Sequence, residues 1–275
     1  MMKENTSPEI NSDSFKIETI KFNNNEVSVC PERGGIITSL KLNGDEILFL
    51  DESTFKDTSI SVKGGIPLLF PQAGPITIDS QFSDLKQHGF ARNSTEWIFT
   101  KTENGFIETL KSNPETNKAY PFDFTLIIRG KFEKDNSFTL TQEVKNESDK
   151  EMPISMGIHP YFKVPSNEKE NIDFNFQGGE IIKNETEKWS KDGTTSIDNP
   201  KLADQSAKLE INIPSLGTLT ITSSSEYQKI WVWSMSDKNF ICIEPVMRDV
   251  NGLVENPEKI QPQNTFSASV NFKLK

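Results

Sequence analysis

The chain has 275 residues and a formal net charge of −10, from 40 acidic and 30 basic side chains. That length allows one large β domain or two ordinary domains. The acidic balance, together with the lack of any run rich in Lys and Arg, argues against nucleic acid as a partner. Nineteen Phe, against three Tyr and four Trp, supply much of the side-chain mass for a core.

Cysteine usage and the N-terminal segment indicate where the protein works. Cys30 and Cys242 form no CxxC pattern, which argues against a disulfide framework or a structural zinc site and favours a reducing cytoplasm. Residues 1–14 are polar and lack the apolar core of a signal peptide, so we expect a frayed leader before a single domain over residues 15–275. No apolar run approaches the roughly 20 residues that cross a bilayer, so no membrane partner is expected.

Apolar residues with a period of two recur along the whole chain and predict strands. The predicted strands cover residues 26–29, 36–42, 46–50, 122–128, 138–144, 209–213 and 266–274. Asn-Gly-Asp at 43–45 predicts a hairpin turn, and residues 180–204 form a polar excursion with weak strands. No stretch of eleven or more residues shows a helical period. We therefore predict an all-β fold, a large antiparallel β-sandwich or barrel.

Two glycine-containing stretches carry basic and polar side chains. Lys63 precedes a Gly-Gly pair, which allows positive φ and a close approach of the backbone, although composition alone favours a plain turn into a strand. Gln87, His88 and Arg92 lie within six residues around Gly89. If the segment is extended, His88, Phe90 and Arg92 share one face, unless the glycine bends the chain.

His159 and Glu244 are the other candidate catalytic residues. Imidazole is the side chain whose charge changes near neutral pH, and His159 lies between Ile158 and Pro160 in an aromatic stretch. A packed aromatic corner with a hydrogen-bonded imidazole is the structural alternative. Glu244 interrupts an apolar strand, where a buried carboxylate destabilises the fold unless it is paired or used. Trp231 and Trp233 share a face of the preceding strand and suit either a core or a sugar-stacking surface.

Other chemistries fit the residue pattern less well. Two histidines and one glutamate are a known zinc ligand set, but the HExxH spacing is missing, so no metal is expected. A serine hydrolase is not indicated, because GxSxG is absent. The lysine that precedes its glycines does not match a phosphate-binding Walker loop.

Taken together, these stretches resemble the galactose mutarotase-like superfamily, the aldose 1-epimerases, and within it the glucose-6-phosphate 1-epimerase branch. The matching motifs occur in family order: Gly-Gly-Ile-Pro at 64–67 with Phe-Pro at 70–71, His-Gly-Phe-Ala-Arg at 88–92, Tyr-Pro-Phe at 120–122, Gly-Ile-His-Pro-Tyr-Phe at 157–162, and Glu-Pro at 244–245. The resemblance implies a large antiparallel β-sandwich, the mutarotase supersandwich, which agrees with the strand pattern.

The resemblance also implies roles for individual residues. Glu244 matches the catalytic base, His159 the catalytic acid, and His88 the histidine that holds and polarises the sugar near its ring oxygen. Lys63, Gln87, Arg92 and Asp198 match positions that bind substrate. Lys63 stands where the phosphate branch usually has arginine, which keeps the charge but loses the two-pronged geometry that suits phosphate.

The implied reaction interconverts the α and β anomers of a hexose or hexose 6-phosphate through the open-chain aldehyde, without a cofactor. A base takes the proton from the C1 hydroxyl while an acid protonates the ring oxygen, and opposite charges on Glu244 and His159 are expected to favour both ionised forms. A non-catalytic carbohydrate-binding β-sandwich is the alternative. A glycoside hydrolase would need Asp249 as its second acid. The expected partner is a small sugar or sugar phosphate, and the expected assembly a monomer or weak dimer.

Overall fold

Antiparallel strands dominate a computed structural model of the chain, which describes residues 15–200 and 207–275. The predicted leader, residues 1–14, lies outside the described residues. The strands are β1 Glu18–Phe22, β2 Asn25–Cys30, β3 Ile36–Leu42, β4 Asp45–Glu46, β5 Leu68–Leu69, β6 Ile98–Thr102, β7 Gly105–Lys111, β8 Phe124–Phe132, β9 Phe138–Asn146, β10 Met152–Ile154, β11 Gly157–Ile158, β12 Tyr161–Lys163, β13 Asp173–Phe174, β14 Thr195–Asp198, β15 Ala207–Ile213, β16 Gly217–Ser223, β17 Lys229–Trp233, β18 Phe240–Val246, β19 Glu258–Ile260 and β20 Thr265–Leu274. The α-helices are α1 Glu52–Lys56, α2 Thr116–Ala119, α3 Gly179–Asn184, α4 Thr186–Trp189 and α5 Gly252–Glu255.

The larger of the two main sheets has eight strands in the order β13-β15-β16-β20-β9-β8-β7-β6, each antiparallel to its neighbours. Its strands bury alternate residues, as the period of two predicts; β9 is buried at every second position from Phe138 to Asn146. The predicted all-β fold with a large antiparallel sheet is confirmed.

The second main sheet has the order β14-β17-β18-β11-β5, and β12 also pairs with β18. Its two faces have different roles. Ile230, Ile241 and Ile243 point into the same buried cluster as Phe138 and Leu140 of the large sheet. The core of the sandwich therefore lies between these two sheets, and the opposite face of β17 and β18 is left to form a site.

The pairing register of the strands shows which side chains share that opposite face. Ser196 of β14 pairs with Trp231 of β17, which pairs with Glu244 of β18. Asp198 pairs with Lys229 in the next row. Residues directly opposite each other in antiparallel strands project to the same side of a sheet, so Glu244 and Trp231 share this outer face.

The polar excursion differs from the sequence-based expectation of weak strands. It contains the two short helices α3 and α4 before strand β14, and the Trp189 side chain is fully buried, with its indole nitrogen 2.8 Å from the carbonyl oxygen of Ile182. Helices of four to six residues are too short to display a period; the buried side chains of Ile182 and Trp189 anchor them instead. Residues 201–204, the end of the excursion, lie outside the described residues.

One buried carboxyl group is part of the core and not of the site. Glu108 lies on β7 between the core residues Phe106 and Leu110, and its side chain is fully buried. Neither carboxyl oxygen has a hydrogen-bond partner among the described residues. Burial raises the pKa of Glu108 to about 8, because the charged form loses its hydration.

One cluster of buried side chains runs through the sandwich, from Ile20 on β1 to Leu274 on β20. This continuity supports the predicted single domain over residues 15–275, which remains a prediction. Of the described helices, none combines the length and the apolar character that a membrane span requires.

Candidate active site

A cavity of about 610 Å³ opens on the outer face of β17 and β18. It brings together six of the seven residues that the sequence singled out: Lys63, Gln87, His88, Arg92, His159 and Glu244. These residues come from segments far apart in the chain, and the volume suits a small ligand such as a sugar.

His159 and Glu244 face each other at the floor of the cavity. Nε2 of His159 lies 3.4 Å from Oε1 of Glu244, and both side chains are almost fully buried. His159 lies in the turn between β11 and β12, where its backbone N–H donates to the carbonyl of Pro67 at 3.1 Å. Glu244 is held by the register of β18. The contact is longer than a good hydrogen bond, so each group is free to bind a hydroxyl placed between them.

His88 reaches the pair because the chain bends at this point. His88 and Gly89 both have positive φ, 70° and 65°, and a Cβ at Gly89 would lie 2.0 Å from the carbonyl oxygen of Phe70. The alternative with an extended segment is therefore wrong. Phe90 packs against the core instead of facing the cavity, and the His88 ring stands edge-on to the His159 ring at 5.3 Å.

Two cations lie on the cavity wall. Arg92 lies in the 3₁₀ turn Ala91–Asn93 after the bend, and its buried Nε has no partner among the described residues. Nζ of Lys63 is 3.3 Å from the sulfur of Met235, a weak acceptor that leaves the ammonium able to bind an anion. Gln87 is exposed at the mouth of the cavity.

The structure places Asp198 outside this cavity. Its side chain is 88% exposed, lines a neighbouring depression and pairs with Lys229 at 2.8 Å. Asp249 lines the cavity instead. Sequence reasoning considered Asp249 only as a second acid for a hydrolase, since its position depends on a loop after β18 that has no pattern. The substrate-binding role of Asp198 is thus not favoured by the geometry.

Three donors orient the Asp249 carboxylate. Ser196 Oγ and Trp231 Nε1 both donate to Oδ1 at 2.7 Å, and Lys229 Nζ lies 3.0 Å from Oδ2. Burial acts in the opposite direction, but these hydrogen bonds and the Lys229 charge hold the pKa of Asp249 below its usual range. Asp249 is therefore a fixed anion with lone pairs left for a sugar hydroxyl.

Aromatic rings complete the wall. Tyr161 stacks on the His159 ring at 4.7 Å between centroids and 10° between planes. Trp233 stands perpendicular to His159 at 6.0 Å, and Trp231 also lines the cavity. Of the two interpretations of the tryptophan pair, a surface for sugar stacking therefore agrees with their position beside the carboxylate.

Burial controls the ionisation of the pair. It lowers the pKa of His159 well below the ordinary histidine value, and the proximity of His88 and Arg92 acts in the same direction. Burial raises the pKa of Glu244 well above the ordinary glutamate value, against the attraction of Arg92. Both pKa directions run against the expectation that the pair stabilises two ionised forms, because burial removes the hydration of each charged group.

The same burial lowers the pKa of His88 to about 3, with Arg92 adding to the effect, so His88 is neutral at pH 7. Four buried polar atoms in the cavity have no partner among the described residues: Nδ1 of His88, Nε of Arg92, Nδ1 of His159 and Oε2 of Glu244. Leaving such a group unpaired costs roughly 1–3 kcal/mol, so this cluster is suited to a polar ligand.

One group of side chains has the composition of metal ligands. His159, Cys242 and Glu244 each offer a donor atom, and these three atoms lie within 4.8 Å of one another. Cys242 itself is fully buried behind the cavity wall.

Comparison with known proteins agrees with this geometry. The family model for aldose 1-epimerase matches residues 17–248. Over 138 residues the chain is 33% identical to a Salmonella typhimurium protein named "Putative glucose-6-phosphate 1-epimerase"; the match covers 48% of this chain and 43% of that protein. The aligned part therefore spans less than half of that relative.

Solved structures share the whole fold. The Slr1438 protein from Synechocystis is 26% identical with a TM-score of 0.77, covering 98% of this chain and 99% of that one. A galactose mutarotase related enzyme from Lactobacillus acidophilus is 20% identical with a TM-score of 0.71, covering 94% and 97%, and shows the fold alone. The resemblance stated from the sequence motifs, including that to the glucose-6-phosphate 1-epimerase branch, is confirmed. The chain belongs to the aldose 1-epimerase family.

Proposed function

We propose that the protein is a mutarotase that interconverts the α and β anomers of a hexose or hexose 6-phosphate by acid–base ring opening and reclosure. The observation that carries the proposal is the buried contact of His159 with Glu244 at the floor of a cavity that also holds His88 and Arg92. Binding alone does not require an acid–base pair in a dry site, which is why the carbohydrate-binding alternative is less favoured.

The pair holds a single proton in the sugar-free cavity. Burial favours the neutral form of His159 and the protonated form of Glu244, a combination with no net charge. A sugar whose C1 hydroxyl donates to Glu244 and whose ring oxygen accepts from His159 favours movement of that proton to the imidazole. Glu244 then takes the C1 proton as base and His159 protonates the ring oxygen as acid. Rotation about C1–C2 and the reverse transfers close the ring on the other face.

His88, Arg92 and Asp249 hold the sugar in this scheme. Neutral His88 hydrogen-bonds near the ring oxygen, and Asp249 accepts a hydrogen bond from another sugar hydroxyl. Since three donors already hold Asp249 as an anion, it is not a free acid for a leaving group, and this favours epimerisation over glycoside hydrolysis.

Lys63 and Arg92 are the groups that favour a phosphorylated substrate. Both line the cavity, and Arg92 keeps an unpartnered nitrogen. Lysine binds phosphate as a point charge without the two-pronged geometry of arginine, so a free aldose remains the competing substrate.

Exchange between the anomeric proton signals of glucose 6-phosphate, measured by magnetisation-transfer NMR, tests the proposal. Free glucose and galactose are run beside it under the same conditions. We expect the wild-type protein to accelerate exchange, and the Glu244→Gln and His159→Asn variants to lose the acceleration. Folded protein that accelerates exchange for none of these sugars would leave the carbohydrate-binding alternative.

The remaining proposals concern the cellular compartment and the oligomeric state of the protein. Cys30 and Cys242 are free buried thiols, which supports the cytoplasm as the compartment. A monomer or weak dimer remains our prediction for the assembly.

A further inference from the structure

Strand β18 brings a thiol to the catalytic pair. Cys242 lies two residues before Glu244, so both side chains project to the same face of the strand. Its register partner is Tyr161, whose ring stacks on His159. The sulfur, one carboxyl oxygen of Glu244 and one imidazole nitrogen of His159 consequently lie within 4.8 Å of one another.

The spacing of these donors is close to that around a tetrahedral zinc ion. Zinc bonds of about 2.0–2.3 Å to nitrogen, oxygen and sulfur place neighbouring ligand atoms roughly 3.3–3.6 Å apart. Nε2 of His159 and Oε1 of Glu244 already lie 3.4 Å apart. Since the donor atoms lie within 4.8 Å of one another, the sulfur has to approach by about 1.2 Å at most, which a side-chain rotation can supply.

Charge and burial also favour an ion here. All three side chains are more than nine-tenths buried. A thiolate, a carboxylate and a neutral imidazole around Zn²⁺ sum to zero charge, the state that a low-dielectric site accepts best. His159 and Glu244 line the cavity, so a fourth position faces it and can take water.

We propose that His159, Cys242 and Glu244 form a binding site for one Zn²⁺ ion, open to the cavity at its fourth position. Binding displaces the thiol proton of Cys242 and the carboxyl proton of Glu244, which leave to solvent. The bound ion occupies both members of the catalytic pair, so the metal-loaded protein is the inhibited form. This last consequence rests on the proposed function, whereas the binding itself does not.

Titration of the full-length, tag-free protein with Co²⁺ tests the site, because a cobalt–thiolate bond gives a charge-transfer band in the near ultraviolet. We expect one Co²⁺ per chain, with this band and the visible bands of tetrahedral cobalt, and displacement of both by Zn²⁺. Cys242→Ser should lose the charge-transfer band. Cys30→Ser removes the other buried thiol, which lies in a separate cluster, and should keep it.

Three outcomes overturn the proposal: no charge-transfer band in the wild-type protein, equal spectra for the two serine variants, or a stoichiometry that Cys242→Ser does not change. If Cys242→Ser fails to fold in a thermal melt, Cys242→Ala keeps the apolar contacts of that cluster and serves in its place. Glu244→Gln should weaken Co²⁺ binding while keeping the thiolate band. None of these readouts requires mutarotase activity, so their failure is separate from failure of the proposed function.

Discussion

The fully buried Glu108 gives the sharpest stability prediction. Its pKa is about 8 in the folded chain against 4.5 for the ordinary group. Below pH 4.5 the carboxyl is protonated in both states, so it carries no pH-dependent penalty. Between these values the unfolded chain releases the proton and the folded chain keeps it, so the free energy of unfolding falls by about 1.4 kcal/mol per pH unit. The loss reaches roughly 3 kcal/mol at pH 7 and roughly 5 kcal/mol above pH 8.

The perturbation is Glu108→Gln, which keeps the shape and removes the titration. We expect the stability advantage of the variant over wild type to grow steadily between pH 5 and pH 8. The buried amide without a partner costs roughly 1–3 kcal/mol at every pH, so the slope is diagnostic and the offset is not. Glu108→Leu should show the same slope with a more favourable offset, because it buries no polar group.

Urea unfolding of the three proteins at several pH values measures these slopes. Parallel curves for wild type and Glu108→Gln would refute the reasoning, because they would mean that the carboxyl in the folded chain is not desolvated. A changed slope in only one of the two variants would point to a structural rearrangement instead of a lost titration.

The remaining predictions concern the site. His159→Asn and Glu244→Gln should each lower kcat by about 10²–10⁴-fold with little change in unfolding midpoint, and a near-wild-type rate in both would contradict the acid–base assignment. In wild type, activity should fall as the pair loses its single proton at high pH or gains a second at low pH; a rate independent of pH would be inconsistent with this. Arg92→Gln should move both limbs of the profile to higher pH, because the guanidinium lowers the pKa of His159 and of Glu244. Asp249→Asn should raise KM about tenfold, because the sugar loses one hydrogen bond to a charged group. The matched control is Asp198→Asn, since Asp198 is the other aspartate that pairs with Lys229; this variant should leave KM unchanged.

Much of the site could be predicted because strongly patterned or unusual residues carry it. A carboxylate in the apolar strand β18 and two histidines, each within two residues of a glycine, are recognisable without coordinates, and all three line one cavity. The role given to Asp198 illustrates the limit. Asp198 lies in a polar region without a clear pattern and was matched to a substrate-binding position only by its order in the chain. The cavity is lined instead by Asp249, whose position depends on contacts with Ser196, Trp231 and Lys229 from other strands.

The ionisation of the His159–Glu244 pair and the bend at His88 could not be predicted from the sequence either. Opposite charges suggested an ionised pair, but the depth of burial of His159 and Glu244 reverses that expectation, and depth is a property of the folded chain. The positive φ of His88 likewise depends on the close approach of Gly89 to Phe70. The strands with a period of two were predicted well because successive side chains of a strand point to opposite faces, so alternating apolar residues mark the buried face.

The register of β18 has a consequence for how mutations act on this protein. Ile241 and Ile243 face the core, whereas Cys242 and Glu244 project to the opposite face of the strand, where Glu244 lines the cavity. A slip of one residue in the pairing with β17 would put the carboxylate into the core and the isoleucines into the cavity. A chain with the slipped register would therefore be too unstable to fold, whatever the state of its catalytic residues. Insertions in the turn 234–239 should be tolerated as long as the register of β17 and β18 is kept. The length of this loop can therefore vary during evolution while the orientation of Glu244 stays the same.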